Sequence, residues 1–169
     1  TKVTFGVGTG VLVFLAVFGR DLLGAGDAGI GILFAARGVG ALLGPFIAVR
    51  WAGTDDRRVL RAIAVALVIY PVSYALLPLA PALLVGAVCV ACAHLGGGAE
   101  WTLSSYGLQR SVRDEVRGRV LAIDYAMATA AIATSELFAG WLSTVTGPVG
   151  ALWTMTALLG IAGCAWIAW

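Results

Sequence analysis

Five ionisable residues fall inside stretches that are otherwise apolar: Arg37, His94, Glu100, Asp124 and Glu136. A charged side chain facing lipid at the centre of a spanning helix costs about 3 kcal/mol on insertion scales, so each must face protein or a wet cavity. Groups in that position relay protons, pair across helices or mark the path of a substrate or ion. On the same stretch as Glu100, His94, Gly98, Thr102, Ser105 and Gln109 recur at three- or four-residue steps, which on a helix makes one polar stripe. Such a stripe lines a water-filled path or hydrogen-bonds a neighbouring helix. Glu100 stands about 60° off the stripe and about 15 Å from the nearer helix end by helix rise, too deep to snorkel easily. It is the acid best placed to exchange protons. Asp124, five residues past Arg119, serves equally as a structural pair near the rim. Glu136 and Arg37 lie at similar depth from the other side, so depth alone would allow them to pair. His94, near mid-span, suits a neutral, hydrogen-bonded ring.

Other chemistries find little support. The only lysine is Lys2, so no phosphate-binding glycine-lysine-hydroxyl loop exists. Gly6-Val7-Gly8-Thr9-Gly10 lies in an apolar run with no preceding strand and is not a dinucleotide fingerprint. Cys89, Cys92 and His94 lack the fourth ligand and polar support of a structural zinc site, and small cysteines commonly fill apolar helices. Gly24-Ala25-Gly26-Asp27 resembles an intramembrane aspartyl protease motif, but its aspartate falls in a loop and no facing partner motif exists. Ser104-Ser105 does not fit a rhomboid-type nucleophile. No metal, no cofactor and no enzymatic activity are expected.

The elements that must hold these residues follow from composition. Of 169 residues, 60% are hydrophobic and 12% charged, with a mean hydropathy of +0.96. A soluble domain carries about twice that charge, and a disordered chain needs the opposite balance. A net charge of +2, with basic residues scattered among apolar runs, argues against nucleic-acid binding. Runs long enough to cross a bilayer extend over about 3–23, 30–52, 59–79, 82–108, 120–143 and 149–169. They are apolar on every side, which suits helices and not barrel strands. The expectation is an all-α membrane protein, one bundle of six transmembrane helices covering residues 1–169. Gly6/Gly10 and Gly40/Gly44 each stand four apart, so each pair opens one helix face to a neighbouring backbone.

Alternate loops, beginning with the N-terminus, hold Lys2, Arg50, Arg57, Arg58, Arg61, Arg110, Arg113, Arg117 and Arg119, while the opposite loops hold only Arg20. The positive-inside rule then places both termini in the cytoplasm. No secretory signal pattern is present. The missing initiator methionine and the end flush with the last run suggest part of a longer chain, and the strong arginine preference suggests a bacterial source.

Arg37-Gly38-Val39-Gly40-Ala41-Leu42-Leu43-Gly44-Pro45, followed by a basic loop, resembles the second helix of a half-transporter of the major facilitator superfamily. Gln109 to Val120, with Arg117-Gly118-Arg119, resembles the loop before that half's fifth helix. The likeness covers essentially the whole chain, as the C-terminal six-helix half, itself a 3+3 inverted repeat, of a twelve-helix carrier. Two positions depart from the family pattern: its loop aspartate falls on Ala48 or Val49, and Arg113 replaces a proline.

The resemblance implies alternating access around a mid-membrane site, with the first and fourth helices lining the cavity. It implies proton-coupled efflux of a small molecule across a bacterial inner membrane, together with the N-terminal half. The pathway residues would be His94, Glu100, Thr102, Ser105, Gln109, Asp124, Glu136 and Arg37, with Arg57, Arg58, Arg117 and Arg119 on cytoplasmic gating loops. It also separates the second and fifth helices, against an Arg37–Glu136 pair. The alternatives are a six-helix scaffold acting through small-residue faces and, less favoured, an intramembrane hydrolase.

Overall fold

The computed structural model describes residues 1–168, and every element in it is helical: α1 (Lys2–Leu22), α2 (Gly26–Ala52), α3 (Asp56–Leu79), α4 (Leu83–Ser111) and α5 (Asp114–Ala168). All five are long and apolar enough to cross a membrane. Large apolar side chains stand on the outside, Leu84 and Leu137 being 75% and 77% exposed, whereas Glu100 and His94 are buried. A water-soluble fold does not bear so much exposed apolar surface, and helices that satisfy their own backbone are what lipid requires. The architecture supports a multi-pass membrane protein.

The fifth and sixth runs form one element of 55 residues, which would extend about 80 Å if straight. It is not straight. Gly147 breaks it at φ 72°, a left-handed backbone that glycine adopts without a Cβ clash. Pro148 follows, where a fixed φ and a missing N–H suit the first turn of a helix. Residues 114–146 and 148–168 therefore fold back as two arms. Ser135 and Phe138 on one arm line the same groove as Met155 and Leu158 on the other. The expected run 149–169 ends on Trp169, which lies outside the described residues.

Helices reach further into polar sequence than the apolar runs do. α2 begins at Gly26, and the first arm of α5 begins at Asp114, so Arg117-Gly118-Arg119 lies on a helix and not in a loop. Asp114 and Glu115 complement the positive helix N-terminus, and Arg117 pairs with Asp114 one turn back. A helix end needs favourable charge and hydrogen bonding but no hydrophobicity. Asp55 caps α3 in the same way, accepting from the Arg57 and Arg58 amides at 2.9 and 3.3 Å.

Small residues set the packing. A Cβ on Gly40 would meet the Ala91 carbonyl oxygen, and one on Gly44 the carbonyl of Leu95, both on α4; one on Gly98 of α4 would stand 2.6 Å from the Ala41 oxygen of α2. These two helices thus meet backbone to backbone. Gly6 and Gly10 do the same for α1 against Ala131, Ser135 and Ala139 of α5.

α1 is irregular and the most enclosed of the five. Its helical hydrogen bonding tightens to a 3₁₀ pattern over Thr9–Val13 and loosens to a π pattern over Phe18–Leu22. Ser135 of α5 supports the first irregularity: its hydroxyl donates to the Val7 carbonyl at 2.6 Å and accepts from the Gly10 amide at 2.9 Å. Irregular backbone survives at membrane depth where protein re-satisfies its polar groups.

Candidate functional site

Two groups of buried polar side chains lie at different levels along α4. The first is an aromatic cluster at its middle. His94 Nε2 and the Tyr74 hydroxyl are 2.9 Å apart, and Tyr70 packs against Phe5, Tyr74 and His94 with ring centroids at 4.6, 4.9 and 5.4 Å. Tyr70 and Tyr74 are one helical turn apart on α3, so both rings reach the same face of α4. His94 is thus held by a hydrogen bond, as expected from its depth. The buried Tyr70 hydroxyl has no hydrogen-bond partner among the described residues.

The second level lies about 9 Å along α4, six residues on. There Glu100 is completely buried, and neither of its carboxyl oxygens has a hydrogen-bond partner among the described residues. Beside it, Lys2 of α1 is ion-paired with Asp124 of α5. Lys2 is 4% exposed. Its ammonium also lies 5.3 Å from the centre of the Trp101 ring, and Trp101 packs edge-on against Tyr125, 5.9 Å between centroids. A cation over the aromatic face keeps part of the stabilisation lost with its water. Asp124 is thus ion-paired, but with Lys2 across 122 residues of sequence and not with Arg119 nearby. Lys2, counted by sequence among the loop residues, points into the bundle.

A cavity of about 570 Å³ opens beside this level, lined among others by Asp56, Leu103, Ser104, Arg110, Asp124 and Trp166. It lies at the end of the bundle that carries the arginine segments. Arg110 closes that end by binding the Thr54 carbonyl at 3.1 Å and Asp56 at 3.0 Å, which ties the α2–α3 turn to the end of α4.

The expected pathway residues are only partly brought together. Along the stripe, His94 is sealed against α3 and Gly98 against α2. Thr102 and Ser105 are half-buried, Ser105 donating to the Trp101 carbonyl at 2.8 Å, and Gln109 is exposed. Arg37 is half-buried, its guanidinium 5.9 Å from the Phe34 ring. Glu136 is half-buried too, and no ion pair joins it to Arg37 among the described residues. Of the loop arginines, Arg58 pairs with Asp55 at 3.8 Å and Arg117 with Asp114, both within one segment, while Arg57 and Arg119 are exposed. The link between the two segments is Arg110, which the sequence pattern does not single out.

Nor does sequence reasoning single out Tyr70, Tyr74, Ser104 or Ser135. The i,i+4 spacing of the two tyrosines in an apolar helix is the one signal that would have found them. Comparison with family models, with curated proteins and with solved structures finds no match for this chain.

Proposed function

We propose that this chain is half of a secondary transporter of major facilitator type, with six membrane crossings and both ends on the cytoplasmic face. The two arms of α5 supply the fifth and sixth crossings. The arginine-rich end is the cytoplasmic end, and the bilayer is a bacterial inner membrane. The cargo is a small molecule exported against protons, and the N-terminal half of the same carrier supplies the facing wall of the transport path. One observation supports this reading most: a completely buried carboxyl beside a partly buried ion pair, next to a cavity with charged and polar lining residues at one end of a mostly apolar bundle. Packing alone needs no such group, and intramembrane acids of this kind serve proton relays.

Two experiments test it. The full-length protein in liposomes is expected to move a member of a small-molecule panel when a proton gradient is imposed, and the 169-residue chain alone is expected to move none. Gradient-driven transport by the short chain would defeat the half-carrier reading. For orientation, single cysteines at Asp27 and Thr146 should react with an impermeant reagent from outside intact cells, and one at Asp55 should not. Outside labelling at Asp55 would overturn the topology.

A further inference from the structure

An apolar groove of about 300 Å³ runs between α2, α3 and α4 toward the end of the bundle that carries the arginine segments. Its floor is made of small buried residues, Gly44 and Ala48 of α2, Ala66 of α3 and Gly96 of α4, too short to fill the space where three helices meet. Its rims are exposed: Ile47 and Trp51 on α2, Val65 and Ile69 on α3. The groove therefore opens sideways onto the surface that lipid covers, and it runs about 10 Å along α2 by helix rise, from Gly44 to Trp51. The Trp51 indole N–H is the one polar side-chain group among its lining residues, so it gives water too few partners. One turn of a helix with its side chains fills about 400 Å³, so a neighbouring helix can insert only side chains, whereas a single acyl chain fits lengthwise.

Charge marks one end of the groove. Arg58 stands one turn before Ala62, on the face of α3 that carries Ala62, Val65 and Ile69. Arg61 adjoins the same face, and Arg50 precedes Trp51 on α2; all three arginines are exposed. The acids at this turn are already engaged, Asp56 by Arg110 at 3.0 Å and Asp55 as the cap of α3 and by Arg58 at 3.8 Å. Five arginines (Arg50, Arg57, Arg58, Arg61, Arg110) thus stand against two aspartates (Asp55, Asp56), an excess of three positive charges. No ion pair among the described residues holds Arg50, Arg57 or Arg61. The long, exposed contact with Asp55 holds Arg58 weakly and yields to a better anion.

We infer that this groove binds one anionic phospholipid, with an acyl chain along the groove and the headgroup phosphate held by Arg58 and Arg61. A guanidinium matches phosphate oxygens with paired hydrogen bonds, and its apolar stem follows the groove wall while its head stays at the interface. Basic pockets between spanning helices hold phospholipid headgroups in this way. Trp51, at the rim, suits the same headgroup level. The inference needs only that the chain lies in a bilayer and does not depend on transport.

The experiment is native mass spectrometry of the full-length protein released from detergent micelles, titrated with phosphatidylglycerol or with phosphatidylcholine of the same acyl chains. One phosphatidylglycerol is expected to bind about 25-fold more tightly than phosphatidylcholine, at about fivefold for each of the two arginines. Arg58→Gln and Arg61→Gln should each weaken it about fivefold. Arg113→Gln removes the same charge from an exposed side chain that lines no part of the groove, and should leave the affinity unchanged. Ala62→Phe fills the groove and should weaken both lipids. Glycerol 3-phosphate, a headgroup without chains, should not displace the bound lipid. If Ala62→Phe fails to fold, the arginine variants, which alter only exposed side chains, carry the test. Equal affinity for the two lipids, equal losses in Arg58→Gln and Arg113→Gln, unchanged binding in a folded Ala62→Phe, or displacement by glycerol 3-phosphate would each overturn the inference. So would a lipid-free protein dimer that Ala62→Phe abolishes, since a second copy would then cover the groove.

Discussion

Glutamine in place of Glu100 is expected to abolish proton-gradient-driven transport by the full-length protein while changing its folding stability by less than about 1 kcal/mol. The side chain is completely buried, and its oxygens make no hydrogen bond among the described residues, so an amide of the same shape breaks no described contact. What the substitution removes is the capacity to take up and release a proton. Substrate binding and exchange of labelled for unlabelled substrate without a gradient should persist, because neither needs net proton movement. A merely structural Glu100, hydrogen-bonded to a neighbouring helix, would give the opposite pattern: a shifted unfolding midpoint and intact coupling. Unchanged gradient-driven transport in this variant would move the proton role to Asp124, to Glu136 or to the other half of the carrier.

Leucine in place of Gly44 is expected to cost about 3 kcal/mol of stability, or to prevent folding. A Cβ at this position would stand 2.9 Å from the Leu95 carbonyl carbon and closer still to its oxygen, and both belong to backbone that cannot rotate away. Relief requires α2 and α4 to separate along their whole contact, since Gly40 and Gly98 bring the same two helices together on either side. In lipid, where close packing replaces the hydrophobic drive between helices, that separation forfeits most of the contact energy. Leucine at Gly38, on the same helix but with open space around it, is the control. It should be neutral or gain up to about 1 kcal/mol from improved helix propensity. Denaturant unfolding in mixed micelles compares the two. Equal midpoints for the Gly44 and Gly38 variants would mean that the backbone contact does not hold the bundle together.

Much of this architecture is written along the chain, because apolar runs, breaks and charge bias are local properties. Length and hydropathy of the runs suffice for an all-helical membrane protein, since lipid leaves no other way to satisfy the backbone of a single segment. The four-residue spacing of Gly40 and Gly44 marks a close helix contact before any neighbour is known, because that spacing puts both on one face. The depth of Glu100 is likewise legible, as helix rise converts residue count to distance.

Tertiary structure decided the rest, for reasons that do not lie along the chain. Which neighbour fills the groove at Gly44 depends on the fold, and so does the sealing of His94 by Tyr74, twenty residues earlier. The helical course of Arg117-Gly118-Arg119 depends on end charges that hydropathy does not register. Asp124 illustrates the limit most clearly. Sequence proximity offers it Arg119, but neighbouring helical residues about 100° apart per step diverge in direction, and a partner from another helix takes the site. That partner is Lys2, which sequence alone reads as a loop cation because a lysine at the end of an apolar run ordinarily snorkels to water. Only the meeting of α1, α4 and α5 turns it inward, against Asp124 and beside Glu100, and so builds one enclosed charge cluster from residues 122 positions apart.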